Sequence, residues 1–319
     1  MTTMNQAAVL AVDIGGTTIK AAIFVGNELV SEPISVPTFS ATSNAYNSVV
    51  TAVETLVRQA ELLRLEPRVI GVGSPGPVDS QRGVISFAPN LRWKDLPLGS
   101  DLQKQFGLPV VIDHDARTAA RAEMSVRADL QDCVFIPIGT GISAAIVSRG
   151  EIIQGALGQA GELGHIQVFP GGETCSCGSA GCLEVYASAS AILNRYRAAG
   201  GTRASSTADI PSLINDDPVA ARIWSEAIHA LATAVTTLTS LLDPEEIIIG
   251  GGLAVAGPTL LSPLQAAVES MLPWRKPPVL SLSRVGPSAG LLGAALLASS
   301  TLTKATLIKT TLTKASGEQ

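Results

Sequence analysis

Three of the four cysteines of this chain fall within eight positions, in the run Cys175-Ser176-Cys177-Gly178-Ser179-Ala180-Gly181-Cys182, and nine residues separate them from His165. Thiolates and an imidazole at this density suit a tetrahedral Zn²⁺, held at ~2.3 Å by sulfur and ~2.0 Å by nitrogen. Cys175, Cys177, Cys182 and His165 would fill all four positions. No place would remain for water, so the metal would be structural. Its use would be to fix the loop that carries Glu162, His165 and Glu184, whose carboxylates and second imidazole nitrogen suit a hydroxyl-rich ligand. The alternatives are a disulfide, which would strand the third thiol and call for an oxidising compartment, or scattered free thiols.

Other groups point to phosphate chemistry. In Asp13-Ile14-Gly15-Gly16-Thr17 a carboxylate at a strand end meets a turn with little side-chain bulk, so backbone N–H groups can approach phosphate oxygens. A carboxylate next to an anion needs a cation between them, which assigns Asp13 to Mg²⁺, directly or through water. Lys20 is the nearby cation of the following strand. A plain hairpin is the alternative for this turn alone. Together with Gly139-Thr140-Gly141 and Gly250-Gly251-Gly252, it indicates a nucleotide held between two domains. Asp113-His114-Asp115 ends a strand where ligands of α/β folds gather. Asp115, kept ionised at a helix N-terminus, could take a hydroxyl proton as the oxygen attacks phosphorus, or it could serve only as an N-cap. The Gly73–Pro77 loop and the polar amide of Asn90 read first as plain loop, and His229 as a satisfied helix histidine.

These groups need elements to hold them. Ala8–Ile14 reads as a buried strand, turned by glycine into a second from Ile19 to Val25 and a third from Glu28. The same order recurs in Cys133–Ile138, Gly139–Gly141, Ile142–Ser148 and the Arg149-Gly150 turn. The likeness of residues 13–28 to 137–151 predicts two copies of one unit, their glycine turns facing across a cleft. Val49, Val53, Leu56, Val57, Ala60 and Leu63 have helical spacing and feed a strand at Val69–Gly73, the alternation an α/β domain requires. Pro109–Asp113 is another strand and Ala116–Val126 a helix. A long helix from Ala220 ends at Asp243-Pro244, because proline cannot continue it. Ile247–Ile249 and Val279–Val285 are strands, and Gly290–Ala298 a last helix. The expected division is a small α/β domain over 1–114, completed by a C-terminal helix at 288–300, and a larger domain over 115–287 with the zinc loop at 162–184. The pentad repeat within 301–319 reads as a low-complexity tail without structure.

At 319 residues, 46% hydrophobic and only 4% aromatic, the chain has material for two cores packed from small aliphatic side chains. A net charge of −5 offers no basic face for nucleic acid. The N-terminal residues carry no positive leader, and the first apolar run is broken at Asp13, so neither signal peptide nor membrane span is expected. A cytoplasmic location follows as the expectation.

The Asp13–Thr17 turn, the Gly73–Pro77 loop, Gly161-Glu162-Leu163-Gly164-His165 and the box from Cys175 to Glu184 resemble the ROK (repressor, open reading frame, kinase) family of sugar kinases and regulators, over about Ala8 to Ala298. The resemblance implies a duplicated actin-like ATPase fold of the ribonuclease H type, ATP and Mg²⁺ in an interdomain cleft, and transfer of the γ-phosphoryl group to the 6-hydroxyl of glucose or of an N-acylated amino sugar such as N-acetylmannosamine. It places the catalytic base on Asp115, sugar contacts on Gly76, Asn90, His114, Asp115, Glu162, His165 and Glu184, and nucleotide contacts on Asp13, Gly15, Gly16, Thr17, Thr18, Lys20, Gly139, Thr140, Gly141, Gly251 and Gly252. It also implies a homodimer. The chain departs from the family pattern at His114 and Arg117, where asparagine is usual, and at Thr18, where many members carry lysine. A repressor would need a DNA-binding segment ahead of Asp13, which lies too near the N-terminus for one. A weakly catalytic sugar-binding regulator is the alternative left by His114.

Overall fold

In the computed structural model residues 7–316 are described, with side chains between residues 7 and 302. The chain forms two units. The first comprises residues 1–125, 156–159 and 288–319, and the second 126–155 and 160–287.

The first unit opens with β1 (Ala7–Ile14), β2 (Thr18–Val25), β3 (Glu28–Leu29) and β4 (Ile34–Pro37), followed by α1 (Ala45–Leu62) and β5 (Glu66–Ser74). A small antiparallel sheet of β6 (Val78–Asp79), β7 (Val84–Ala88) and β8 (Trp93–Leu96) precedes α2 (Leu98–Phe106), β9 (Val110–His114) and α3 (Asp115–Ser125). The main sheet has the order β3-β2-β1-β5-β9, with β4 also on β2. β1 is antiparallel to β2 and parallel to β5, which is parallel to β9. Six of the eight residues of β1 are buried, as a strand covered on both faces must be. Val49, Ala52, Val53, Leu56 and Ala60 of α1 cover one face.

The second unit repeats the plan. β10 (Cys133–Pro137), β11 (Ala145–Ser148) and β12 (Glu151–Ile152) are followed by α4 (Glu184–Ala187), α5 (Ala189–Ala198), α6 (Ile210–Leu213) and α7 (Pro218–Leu242). Then come β13 (Glu246–Gly250), α8 (Pro258–Met271) and β14 (Val279–Leu282). The sheet order β12-β11-β10-β13-β14 matches β3-β2-β1-β5-β9 strand for strand, with the same antiparallel and parallel pairings. The expected duplication of an α/β unit is therefore present. Asp217 caps α7 by accepting from Val219 N and Ala220 N, and Pro218 occupies the first turn, where its missing N–H costs nothing.

Two features differ from the sequence reading. The last helix, α9, runs from Ala289 to Ser316, so the pentad repeat continues a helix where a structureless tail was expected. The helix begun at Ala289 continues through it, although six of the fifteen residues at 301–315 are threonine, a weaker helix former. The boundary expected at residue 114 also moves: α3 belongs to the first unit. There it packs against α9, which covers the second face of the sheet over Val9, Ala11, Phe24 and Val69. Among the described residues no helix is long and apolar enough to cross a membrane.

Candidate functional site

In the first unit, the chemistry gathers at the C-terminal ends of parallel strands. Asp13 is the penultimate residue of β1 and stands opposite Lys20 of β2 in the hairpin register. Gly15, Gly16 and Thr17 form the turn, closed by Gly15 N–H donating to Thr18 O at 3.0 Å and held by the Thr38 hydroxyl on Gly15 O at 2.7 Å. Gly290, at the start of α9, presses on Asp13: a Cβ there would lie 2.5 Å from the carboxylate. Burial, the charge of Asp115 and, in opposition, that of Lys20 set the Asp13 pKa at about 6. Two carboxylates sharing one strand-end region are an excess of negative charge, and Asp13 fits a divalent cation for that reason.

Asp115 begins α3 directly after β9 and remains partly exposed. Its Oδ1 accepts the Ala116 N–H at 2.6 Å at the N-terminal end of α3. His114 is buried, with Nδ1 3.1 Å from the same oxygen. This histidine stands directly against Asp115. Gly76 follows β5, with its Cα against the carbonyl of Phe87 in β7. Asn90 is exposed in a short 3₁₀ turn, Pro89–Leu91.

Behind Asp115 lies a network that the residue pattern did not disclose. Asp113, fully buried, accepts from Arg117 Nε at 2.6 Å, Ser80 Oγ at 3.0 Å and its neighbour's His114 N–H at 2.8 Å, while Arg121 Nη2 reaches its other oxygen at 3.2 Å. Burial alone would raise the Asp113 pKa, but Arg117 and Arg121 outweigh it and hold it below the usual carboxylate range. The i, i+4 spacing of Asp113 and Arg117 across a strand–helix junction was the available signal.

In the second unit, Gly139, Thr140 and Gly141 form the turn after β10. It is tied by Gly139 N–H to Gly141 O at 3.0 Å and by Ala189 N–H to Gly139 O at 2.9 Å. Glu184, first residue of α4, accepts the Ile142 N–H at 3.0 Å and rests against Gly141, so it braces this turn. Gly251 and Gly252 follow β13, and Leu253 N–H donates to Ile138 O at 3.0 Å, which brings the two glycine turns together. Beside them lies a cavity of about 280 Å³ lined by Ala189, Thr207, Pro211, Gly252, Leu253 and Ala256, among others. Glu162 precedes a 3₁₀ turn, Leu163–His165, which exposes His165.

The ligand atoms of His165, Cys175, Cys177 and Cys182 lie within 4.8 Å of one another. Cys175 Sγ is 3.7 Å from His165 Nδ1, and Cys177 Sγ is 3.7 Å from Cys182 Sγ. A tetrahedron with zinc–sulfur bonds of ~2.3 Å has edges of about 3.75 Å, so the four groups fit the ion, with Nδ1 as the imidazole ligand. All four cysteines are free, and no disulfide competes. A backbone N–H from Ser179 helps lower the Cys177 thiol to about 7, whereas burial and the neighbouring thiols push Cys182 up to about 12. Cys177 is therefore the first thiolate available. Tyr186 anchors the loop, its hydroxyl accepting from Glu173 N–H at 2.7 Å. His229 is exposed on α7 and stacks on Phe169, with ring centroids 5.8 Å apart.

Comparison with known proteins places this geometry. A glucokinase of Halalkalibacterium halodurans is 32% identical over 91% of this chain and 94% of its own length. The N-acetylmannosamine kinase of Salmonella typhi is 31% identical over 90% and 96% respectively. The crystal structure of a ROK family glucokinase from Streptomyces griseus, in complex with glucose and AMPPNP, superposes with a TM-score of 0.80 at 30% identity, over 92% of this chain and 99% of that one. A ROK family transcriptional regulator, homologous to the E. coli MLC protein, reaches the same TM-score at 28% identity over 92% of this chain and 78% of its own. The family model itself matches residues 9–301, and the chain belongs to the ROK family.

Proposed function

We propose that this protein is an ATP-dependent hexose kinase that transfers the γ-phosphoryl group to the 6-hydroxyl of glucose or of an N-acylated amino sugar such as N-acetylmannosamine. The observation that carries the reading is Asp115, a partly exposed carboxylate at the first position of α3, with Asp13 near enough for the two charges to interact. Asp115 takes the proton of the sugar hydroxyl as its oxygen attacks phosphorus, and Asp13 holds the divalent cation that, when bound, offsets phosphate charge. Backbone groups of the Gly15–Thr18 turn, with Lys20, serve the phosphates, as do the Gly139–Gly141 turn and Gly251-Gly252. The small-residue cavity beside Gly252 suits the base and ribose of the nucleotide. Gly76, Asn90, His114, Glu162, His165 and Glu184 serve the sugar. A structural Zn²⁺ on His165, Cys175, Cys177 and Cys182 holds the last two in place. A cytoplasmic homodimer without nucleic-acid or membrane partners completes the reading.

The test is ATP consumption with a panel of glucose, mannose, N-acetylglucosamine and N-acetylmannosamine, for the parent and for Asp115→Asn. The amide keeps the shape but cannot accept the proton, so turnover falls by ~10² to 10⁴ while sugar binding changes less. Sugar binding without turnover in the parent would instead favour the non-catalytic regulator. Variant turnover within a few-fold of an active parent removes Asp115 as the base.

A further inference from the structure

Arg117 of α3 spends its guanidinium entirely inside the first unit. The residue is 1% exposed. Nε binds Asp113 at 2.6 Å and Nη1 donates to the carbonyl of Gly158 at 3.0 Å, while Nη2 is buried without a hydrogen-bond partner. The second contact shows what the placement achieves. Residues 156–159 belong to the first unit, although the chain on both sides belongs to the second. This strap leaves and returns through a neck closed by Ala160 N–H on Gln154 O at 3.0 Å. Its tip, Gly158, has φ +68°, and a Cβ there would lie 2.4 Å from Val78 O. Besides that close approach, the Arg117 grip is the hydrogen bond that holds the tip to α3, and Leu157 beside it is 77% exposed and contributes little packing. Glu162 follows the neck by two residues.

We propose that Arg117 is a positioning residue for acceptor recognition. One planar, two-armed group clamps Asp113, whose carboxylate also receives the His114 N–H beside the base, and clamps the strap that leads the chain to Glu162. The acceptor part of this assignment rests on the sugar-kinase reading. Lysine would keep the charge near Asp113, but a single ammonium on a flexible stem cannot span both partners, so Arg117→Lys releases the strap while leaving Asp113 paired.

The experiment compares the parent with Arg117→Lys, Gly158→Ala and the double variant. Its readouts are amide hydrogen exchange and the separate KM values for hexose and ATP. In Arg117→Lys, exchange over residues 156–161 speeds up and KM for the hexose rises, each by about 5- to 20-fold, the span of a lost coupling of ordinary size. The KM for ATP, kcat and the pH profile stay within about three-fold, because the interactions made in the transition state are untouched. Gly158→Ala displaces the same strap from its other side. The double variant should be no worse than the poorer single one, as expected of two residues acting through one element. Additive losses, an equal rise of both KM values, or unchanged exchange over 156–161 would overturn the assignment. Should the parent phosphorylate no hexose, the kinase reading falls, and the exchange data still decide whether Arg117 holds the strap.

Discussion

At the scale of single residues, the site stores unfavourable charge. Asp13 carries a pKa of about 6 against an ordinary 3.8, through burial and the nearby Asp115. The folded state therefore binds more protons than the unfolded one between about pH 4 and pH 6, and stability falls as pH rises through that window. The cost at neutral pH is at most about 3 kcal/mol, converting two pKa units at 1.36 kcal/mol each. Under the proposed function, a divalent cation is the ligand that restores the balance. Metal-free Asp13→Asn should thus melt a few degrees above the metal-free parent at pH 7.5 and converge with it near pH 4, while losing affinity for magnesium nucleotide. Thermal melts of both proteins across that range check the sign. A gap that stays constant with pH would show that Asp13 titrates normally. Asp113 behaves in the opposite way, because Arg117 and Arg121 hold it ionised and its contribution is lost only in acid, below the usual carboxylate range. Both aspartates were visible in the sequence, but the opposite environments depend on partners supplied by folding. Asp13 lies under Gly290 of α9, and no local pattern links the two.

At the scale of elements, the Cys/His loop shows how a segment poor in regular structure is held in place. Between the 3₁₀ turn at Leu163–His165 and α4, order comes from isolated bridges such as Gln167 to Cys182, from Tyr186 under Glu173, and from the Cys/His cluster. This element was the most legible of all, because ligand types at fixed spacing carry their own geometry. Its bracing of the second glycine turn was not legible: Glu184 reads as a sugar ligand, yet its Oε2 accepts from Ile142 N–H at 3.0 Å, linking the loop to Gly139–Gly141. Zinc loss should therefore affect both substrates. Cys177 is exposed, so Cys177→Ser removes a ligand without opening a cavity in the core. Metal analysis should show less than one zinc per chain, with apparent affinity for sugar falling by about 10- to 100-fold and a smaller loss for nucleotide. Ser176→Ala, at an exposed neighbour, is the control. Full zinc content and unchanged melting in Cys177→Ser would remove the metal assignment.

At the scale of the whole molecule, the duplication was legible because residues 13–28 and 137–151 preserve the same strand, glycine turn and strand, and the two sheets share one strand order. The allegiance of the connecting parts was harder to read. Whether α3 or residues 156–159 join one unit or the other is decided by contacts far apart in sequence, such as Arg117 with Gly158, and period and propensity are silent about these. The placement of α9 has the largest consequence. The first unit begins the chain, but one face of its sheet stays bare until residues after 288 have been made, since Leu291, Ala294, Ala295 and Ala298 cover Val9, Ala11, Phe24 and Val69. Fully burying a large aliphatic or aromatic side chain contributes about 1.5–3 kcal/mol. Exposing Val9, Phe24, Val69 and their neighbours together thus removes an amount comparable to the whole stability of a domain, about 5–15 kcal/mol. A chain ending at Pro287 should lose the fold of the first unit, seen as rapid proteolysis of residues before 126. The second unit, whose core includes no residue of α9, should keep its zinc and resist cleavage. A chain ending at Leu302 keeps every side chain named in that layer and should melt within a few degrees of the parent. If the chain ending at Pro287 resisted proteolysis across its first 125 residues, the sheet of the first unit would not depend on α9 for its cover.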